Sequence, residues 1–383
     1  MPTLVALDLP GGDEFVRALQ QVWHDGDTVL PIDQRLSAAA RAASMHAMGA
    51  GAVIDMSGRI ALADSRDTDV GDALVVATSG STGEPKGVVL THRAVQASAE
   101  ATSRRLEVSD HDHWLACLPL SHVGGLSVVT RALHQQVALT VLPRFDADAV
   151  THAAQRGATL TSLVATALQR IDPAIFRCIV LGGARPPERR PPNTVTTYGL
   201  TETGSGVVYD GVPLDGVEVE IASDGEILLR CPMMLRAYRD GSTPIDDNGW
   251  LHTNDLGRWL DDGRLHVDGR RGDLIITGGE NVWPELVEAA LITHQLVRDV
   301  GVSALPDPEW GQVVAAWVVP MDEANPPSLD ELRGLAREQL PAFMAPRALF
   351  VVNELPRTNL GKLRRSRLPS VQVTEEGHRT DAS

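Results

Sequence analysis

A polar loop at residues 78–87 separates two apolar segments and constrains the fold more than any other part of the sequence. The preceding segment reads ALVVAT and the following one GVVL, and both patterns predict short buried strands. The loop reads TSGSTGEPKG, in which glycines permit close backbone approach while hydroxyls and amides can donate hydrogen bonds to phosphate oxygens. Lys86 adds a positive charge. The segment therefore predicts a phosphate-binding turn between two strands.

Two other interpretations of this loop are weaker. A flexible Ser/Gly linker would not be expected between two apolar strands. The P-loop of nucleotide hydrolases requires a glycine directly before the lysine. Here Pro85 precedes Lys86 and Gly87 follows it, so that motif does not match.

Strand-like apolar segments alternate with helical patterns as far as residue 181, which predicts an α/β fold. Residues 1–70 show short helical patterns interrupted by Gly and Asp turns. A strand-rich stretch near residues 218–230 predicts a β-rich subdomain, and a compact α+β unit is predicted after it. The expected elements are strands at 73–78, 87–90, 114–119, 138–142, 159–164, 178–181, 299–304, 313–319 and 348–352, and helices at 91–105, 284–294 and 328–339.

These patterns predict four regions along the chain. They are an N-terminal domain at 1–268, a boundary segment at 269–272, which the family resemblance described below implies to be a hinge, a C-terminal domain at 273–369 and a disordered tail at 370–383.

Composition excludes several classes of protein. The net charge of −16 argues against nucleic acid as a partner, because phosphate backbones require a basic surface. No apolar stretch approaches the roughly 20 residues of a membrane-spanning helix, and no leader resembles a signal peptide. Cys117, Cys178 and Cys231 are far apart and form no C-x-x-C pair, which is typical of buried thiols in a reducing compartment. A cytoplasmic location is expected.

Lysine is scarce in this sequence. Of 34 basic residues, only Lys86 and Lys362 are lysines, and both lie in motif-like segments. Arginine cannot replace lysine where a compact ammonium must reach a phosphate or a reacting carboxylate.

The loop at 78–87 resembles the phosphate-binding signature of the adenylate-forming superfamily, which includes acyl-CoA synthetases, aryl-CoA ligases, peptide-synthetase adenylation domains and luciferases. Further motifs of that superfamily follow in order between residues 74 and 368. The resemblance implies a large N-terminal domain, with α/β subdomains and a β-rich subdomain, and a small mobile α+β C-terminal domain. It also implies that ATP is contacted by Thr78, Ser79, Gly80, Ser81, Thr82, Gly83 and Lys86.

The next motif, YGLTETG, occupies residues 198–204. The resemblance implies that Thr201 binds the α-phosphate and that Glu202 holds Mg²⁺, for which a carboxylate is a suitable hard ligand. An isolated glutamate would more often be a solvated surface charge. By the same resemblance, the adenine and the acyl group are expected to lie near Gly182, Gly183, Ala184, Tyr198, Gly199 and Gly204.

The segment at 249–256 resembles the ribose-binding motif, with Asn254 in place of the usual glycine. Asparagine tolerates a left-handed backbone better than most residues, so the turn can survive. The resemblance implies that Asp255 accepts hydrogen bonds from the ribose hydroxyls and that Arg270 contacts ribose or phosphate. Gly272 falls at the pivot of the implied hinge.

Two further segments correspond to the two half-reactions of the superfamily. In the first half-reaction a carboxylate attacks ATP to give acyl-AMP and diphosphate. Lys362 is implied to contact the carboxylate and the α-phosphate, where negative charge develops. The C-terminal domain then rotates, Gly278 and Gly279 line a channel for the CoA thiol, and CoA displaces AMP. ATP, Mg²⁺ and CoA are therefore the expected cofactor and co-substrates.

The acyl-binding segment is predicted at Ser121 and His122. A lone histidine is more often structural, but here the motif favours a pocket-lining role. The short region before residue 78 and the motifs at 121–122, 201–205 and 278–284 are most similar to the o-succinylbenzoate–CoA ligases of menaquinone biosynthesis, which predicts o-succinylbenzoate as the acid. Open alternatives are another aryl- or short-chain acyl-CoA ligase, a carrier-loading adenylation enzyme, and a catalytically silent binding protein. A homodimer is also left open.

Overall fold

The computed structural model describes residues 1–79, 85–183, 189–357 and 363–369. The chain forms two compact units. The first comprises 1–253 and 257–267, and the second comprises Asn254–Leu256 with the described residues from Asp268 onward. The predicted domain and hinge bounds remain predictions, and the predicted tail lies outside the described residues. None of the helices in these ranges is long and apolar enough to cross a membrane.

The strands and helices are numbered here in chain order. The strands are β1 Leu4–Leu7, β2 Thr28–Pro31, β3 Ala52–Asp55, β4 Gly58–Ala61, β5 Asp72–Ser79, β6 Pro85–Thr91, β7 His113–Ala116, β8 Ala138–Val141, β9 Leu160–Leu163, β10 Cys178–Leu181, β11 Thr194–Leu200, β12 Ser205–Tyr209, β13 Val212–Pro213, β14 Glu218–Ile221, β15 Glu226–Arg230, β16 Ala237–Tyr238, β17 Leu251–Trp259, β18 Leu265–Arg270, β19 Ile275–Thr277, β20 Glu280–Val282, β21 Val297–Asp307, β22 Gly311–Pro320 and β23 Ala348–Val351. The α-helices are α1 Asp13–His24, α2 Ala38–Met48, α3 His92–Arg105, α4 Val123–Gln135, α5 Ala147–Gln155, α6 Ala165–Leu168, α7 Pro284–Leu291 and α8 Leu329–Gln339.

The first sheet of the larger unit has seven strands in the order β16-β6-β5-β2-β1-β3-β4. Its centre is parallel, and the pairs β5–β6, β6–β16 and β3–β4 are antiparallel. The strands β1–β4 were not anticipated, because residues 1–70 were interpreted as helical patterns and turns. Each of them has only four residues, which is too short to show a strand period.

The second sheet also has seven strands, in the order β13-β12-β11-β10-β9-β7-β8. The strands from β8 to β11 are parallel, so their carboxyl ends lie at one edge of the sheet. In open α/β sheets that edge is where ligands bind. The segments that follow β7, β10 and β11 carry Ser121, Gly182 and Thr201, so three predicted site segments leave the same edge.

A four-stranded sheet in the order β14-β15-β17-β18 accounts for the predicted β-rich subdomain. Buried side chains at Ile227, Leu229, Leu251 and Leu265 join it to the main core of the larger unit.

In the second sheet, the strand predicted at 114–119 is shorter than expected, since β7 ends at Ala116.

The smaller unit is an α+β layer built on a five-stranded sheet in the order β20-β19-β22-β21, with β23 paired to β22. Buried residues of α7 and α8, including Val287 and Leu332, pack against buried valines of the sheet. The predicted helix at 284–294 ends earlier, at Leu291. The predicted mixed α/β fold, with a larger and a smaller α/β part, is confirmed.

Candidate active site

The polar loop is held by an antiparallel hairpin of β5 and β6. Thr78 is paired with Lys86, and the Thr78 hydroxyl donates a hydrogen bond to the Lys86 carbonyl at 3.2 Å. Ser79 ends β5, and the Lys86 side chain is exposed. The predicted phosphate contacts at Gly80, Ser81, Thr82 and Gly83 lie outside the described residues.

The motif at 198–204 forms a bulged strand end and a tight turn. The β11–β12 register shifts between Tyr198 and Gly199, and a Cβ at Gly199 would collide with the carbonyl oxygen of Ser205. Residues Thr201–Thr203 form one turn of 3₁₀ helix, which ends at Gly204 with a φ of 67°. Glycine is therefore required at both positions, and the turn fixes the backbone that carries Thr201 and Glu202.

A tyrosine that the sequence analysis did not select joins two of the predicted catalytic groups. The Tyr238 hydroxyl donates to Oε1 of Glu202 at 2.8 Å. The Lys86 ammonium lies 4.8 Å from the centre of the Tyr238 ring. The main chain supports the same arrangement, because the Leu235 N–H donates to the Glu202 carbonyl at 2.7 Å and Tyr238 pairs with Val88. The structure thus brings Lys86 and Glu202 onto opposite parts of one aromatic side chain.

The turn after β10 contains two of the predicted adenine and acyl contacts. A Cβ on Gly182 would lie 2.8 Å from Oγ1 of Thr197, so any other residue would require the Thr197 side chain to move. Gly183 has a φ of 86°, in the left-handed region that favours glycine. Ala184 lies outside the described residues.

The predicted acyl-binding segment immediately precedes α4. His122 is hydrogen bonded through Nε2 to Nη2 of Arg35 at 3.0 Å, and Oδ2 of Asp33 lies 3.8 Å from the same nitrogen. Burial lowers the pKa of His122, the charge of Arg35 lowers it further, and Asp33 opposes both effects. Because Arg35 can only donate, Nε2 accepts and the imidazole is neutral. Neither Arg35 nor Asp33 was selected from the sequence.

A buried arginine is the second group that the sequence analysis missed. Arg131 lies on α4 with 1% of its surface exposed, and its Nη2 donates to the hydroxyls of Ser205 and Tyr209. Its Nε and Nη1 have no hydrogen-bond partner among the described residues, and neither does the buried Oγ of Ser121. The Ser205 hydroxyl also lies 3.5 Å from that of Ser127. The sequence does contain a signal for this residue, because Arg131 interrupts the largely apolar stretch GLSVVTRAL at residues 125–133.

A narrow cavity adjoins this buried cluster. It is bounded by α3, α4 and the turn at 201–204, and is lined in part by Val95, Leu126, Ser127, Thr130 and Gly204. Its wall combines apolar side chains with the hydroxyls of Ser98, Ser127 and Thr130, and it shares Ser127 with the hydrogen-bond chain of Arg131. With a volume of about 10 Å³, it holds about one water molecule, so an aromatic ring could enter only after the lining side chains move.

In the smaller unit, the predicted ribose ligand is already fixed by a neighbour. Asp255 Oδ1 forms an ion pair with Nε of Arg270 at 3.2 Å, so the two residues assigned to ribose lie together. Asn254 has a φ of 57°, which confirms the expected left-handed backbone at that position. Gly272 lies in a single turn of 3₁₀ helix, Arg271–Asp273, directly after β18.

The segment with Gly278 and Gly279 is a two-residue hairpin turn between β19 and β20. Their φ angles are 57° and 86°, and two successive positive values are typical of the tight turns that glycine favours. The Gly278 N–H donates to the Trp310 carbonyl at 2.9 Å, and a Cβ there would lie 2.5 Å from the Trp310 ring. Lys362, the predicted partner in adenylation, lies outside the described residues.

The described residues contain no group of three or more His, Cys, Asp or Glu side chains that could hold a metal ion. A protein-only magnesium cage is therefore not present in those ranges. Magnesium that is held mainly by triphosphate oxygens and water needs only one or two carboxylates. Glu202, with one oxygen fixed by Tyr238, fits that smaller role.

Comparison with known proteins identifies the family. Residues 64–239 match the AMP-binding enzyme family and residues 286–362 match the AMP-binding enzyme C-terminal domain. A 2-succinylbenzoate–CoA ligase of Bacillus cereus is 36% identical over 343 residues, which cover 79% of this chain and 70% of that protein. A probable 2-succinylbenzoate–CoA ligase of Mycobacterium tuberculosis is 40% identical over 338 residues, which cover 81% and 87% of the two chains.

Solved structures agree with these sequence matches. The o-succinylbenzoate CoA synthetase of Bacillus subtilis in complex with its acyl-adenylate intermediate has a TM-score of 0.84 and 29% identity, covering 98% of this chain and 89% of that one. The same enzyme with ATP and a magnesium ion also has a TM-score of 0.84 and 29% identity, covering 96% of this chain and 89% of that one. The predicted superfamily resemblance is confirmed, and this chain belongs to the family of AMP-binding enzymes.

Proposed function

We propose that this chain is an AMP-forming acid–CoA ligase that converts 2-succinylbenzoate, ATP and CoA into 2-succinylbenzoyl-CoA, AMP and diphosphate through an acyl-adenylate. The family supports the ligase chemistry. The names of the relatives support the choice of acid, which would place the reaction in menaquinone biosynthesis. The proposed cofactor is Mg²⁺, the proposed co-substrates are ATP and CoA, and the proposed location is the cytoplasm.

Arg131 is the observation that favours this acid over other carboxylates. The acid has two carboxylates, only one of which is activated, so the other stays charged and needs a donor when it is buried. Arg131 is buried with two donor atoms unused among the described residues. An arginine without a carboxylate partner is costly inside a protein unless a ligand supplies the negative charge. We therefore assign Arg131 to the second carboxylate of the acid.

The same assignment explains the surrounding side chains. The ring of the acid would lie beside α4 once the narrow cavity there opens, and Ser127 would extend the donors of Arg131. His122, held neutral by its surroundings, adds no positive charge. Because its Nε2 accepts from Arg35, its Nδ1–H is left to donate one hydrogen bond. A simple fatty acid would leave Nε and Nη1 of Arg131 without a hydrogen-bond partner among the described residues, which disfavours it.

In the first half-reaction the enzyme positions groups and stabilises charge. The loop at 78–87 and Lys86 hold the triphosphate, Thr201 holds the α-phosphate, and Glu202 provides an oxygen ligand for Mg²⁺. Magnesium, when bound with ATP, neutralises charge on the phosphate oxygens. The carboxylate oxygen forms a bond to the α-phosphorus while the bond to diphosphate breaks. Lys362 is assigned to the charge that develops at that phosphorus.

In the second half-reaction the CoA thiolate attacks the acyl carbonyl carbon and AMP leaves. Gly278 and Gly279 are assigned to the wall of the thiol channel. The space beside Gly279 is open, whereas the Trp310 ring fills the space beside Gly278. Asp255 is assigned to the ribose of the adenylate, with Arg270 as its neighbour. Neither half-reaction requires a side-chain nucleophile.

The proposal is tested by measuring diphosphate release with ATP, Mg²⁺ and a panel of acids, with and without CoA. The panel contains 2-succinylbenzoate, benzoate, and short and long fatty acids. We expect turnover with 2-succinylbenzoate that depends on CoA, together with mass-spectrometric detection of the acyl-adenylate when CoA is omitted.

Each other outcome points to a different activity. Turnover with another acid alone would replace the substrate and retain the ligase chemistry. Adenylate formation without any transfer to CoA would favour the carrier-loading alternative. The absence of adenylate with every acid would contradict the proposed function.

A further inference from the structure

We infer that Tyr238 is a positioning residue that sets the Mg²⁺-dependent affinity for ATP by fixing both Glu202 and Lys86. This inference rests on the proposed use of MgATP by this site. Tyr238 lies outside the motifs that the sequence analysis selected, on the two-residue strand β16. Its position depends on pairing with β6, which begins at the end of the phosphate loop.

The Tyr238 hydroxyl positions the carboxylate that would hold the metal ion. A carboxylate on a one-turn 3₁₀ helix has several rotamers, and only some of them direct an oxygen at a metal. The Tyr238 hydroxyl holds Oε1 of Glu202 at 2.8 Å, which selects one rotamer and leaves Oε2 as the oxygen to face a metal ion. Hydrogen bonds of this kind orient metal-binding carboxylates, and their loss commonly costs 10- to 100-fold in metal affinity.

The Tyr238 ring positions the ammonium of Lys86. Lys86 is exposed, and a four-carbon side chain in water samples many positions. The Tyr238 ring attracts its ammonium, which lies 4.8 Å from the ring centre. The cation and the carboxylate are therefore positioned by one residue, so the triphosphate and its metal ion would meet a preformed pair.

The backbone around Tyr238 makes this arrangement rigid. The Tyr238 N–H donates to the Ser242 carbonyl at 2.8 Å, and the Arg239 N–H donates to the Gly87 carbonyl at 2.8 Å. Adjacent to it, the Leu235 N–H holds the Glu202 carbonyl. Both partners of the Tyr238 side chain thus lie on segments that are also joined through the main chain.

The experiment measures ATP binding by calorimetry without acid or CoA, at a series of Mg²⁺ concentrations and in EDTA. Because no acid is present, the measurement is independent of which carboxylate the enzyme activates. For Tyr238→Phe, which removes only the hydroxyl, we expect about tenfold weaker ATP binding at saturating Mg²⁺. In EDTA we expect wild-type and variant affinities to be equal. Tyr238→Leu also removes the ring, and we expect a further loss of roughly threefold that persists in EDTA.

Two controls separate positioning from a general structural effect. Ser242→Ala removes a neighbouring hydroxyl that donates to Asp240, and we expect unchanged ATP binding. Glu202→Gln keeps the shape of the side chain but removes its charge. In that background Tyr238→Phe should have no further effect on Mg²⁺-dependent binding, because the contact it removes acts through the carboxylate.

The inference is overturned if Tyr238→Phe binds MgATP as tightly as the wild type while remaining folded by thermal denaturation. An equal loss in EDTA and in Mg²⁺ would also overturn it, since a structural defect would weaken both. Additive losses in the Glu202→Gln background would show that Tyr238 does not act through Glu202. If the wild type itself binds no ATP, the proposed function fails instead.

Discussion

Replacing Arg131 with methionine should cost activity without costing stability. Methionine has a similar length but no charge, so most of the packing around position 131 is retained while the proposed donors to the second carboxylate are lost. Breaking a buried ion pair on one side costs about 3–5 kcal/mol, because the other charge is left unpaired. At about 1.4 kcal/mol for each factor of ten, kcat/KM for 2-succinylbenzoate should fall between about 10²-fold and about 4 × 10³-fold.

The unliganded protein should respond in the opposite direction. Arg131 has no carboxylate partner among the described residues and two unused donor atoms, so its burial is unfavourable before the acid binds. We expect Arg131→Met to leave the free energy of unfolding unchanged or to raise it by about 1 kcal/mol. Thermal denaturation of the free enzyme measures this value, and steady-state diphosphate release measures the loss of activity.

An analogue of the acid provides the decisive comparison. In 4-oxo-4-phenylbutanoate the ring carboxylate is absent, so the analogue cannot pair with Arg131. The wild type should prefer 2-succinylbenzoate over this analogue by roughly 10²-fold or more, and Arg131→Met should lose that preference. Arg131→Lys keeps the charge, so its preference for 2-succinylbenzoate should lie between those of the wild type and Arg131→Met. If Arg131→Met reduced activity equally with both acids, or lowered the melting temperature by several degrees, the assignment to the carboxylate would be wrong.

Three further outcomes are expected. Gly279→Leu should release diphosphate at a normal rate but transfer the acyl group to CoA at least about 100-fold more slowly, because a side chain would enter the proposed channel; normal transfer would refute the channel. Lys362→Ala should abolish adenylation and leave thioester formation from supplied acyl-adenylate intact, and equal loss in both steps would contradict the predicted domain rotation. Arg35→Gln should raise the pKa of His122, because the charge of Arg35 lowers it, so His122 should become protonated at higher pH. The acid limb of the kcat/KM profile should then move to higher pH, and an unchanged limb would remove His122 from the pocket.

The parts of the fold that could be predicted are those in which burial and local sequence agree. The hairpin of β5 and β6 with α3 follows from two apolar runs around a glycine-rich loop and from the Thr91 side chain that caps the helix. The strand at β7 was predicted too long, because Cys117 and Leu118 are buried without extending the strand. An apolar run reports burial, and burial need not coincide with strand pairing.

The parts of the site that could be predicted are the motif residues, whose spacing along the chain is recognisable. Asn254 illustrates this. It stands where the motif usually has glycine, and a left-handed backbone was therefore expected there. Tyr238, Arg131 and Arg35 could not be found in the same way. Each acts through a contact with a residue at least 36 positions away, so their roles depend on tertiary packing that no local pattern encodes.

The exposure of Lys86 has a practical consequence for handling this protein. The sequence contains only two lysines, and the structure places the Lys86 amine in solvent above the Tyr238 ring. Reagents that couple to amines, such as those used to attach proteins to sensor surfaces or to dyes, would therefore react within the proposed nucleotide site. Immobilisation through an affinity tag, which involves no lysine, would leave that site accessible. Bound ATP should shield Lys86 from an acylating reagent. The decrease in acylation of Lys86 would therefore measure nucleotide binding.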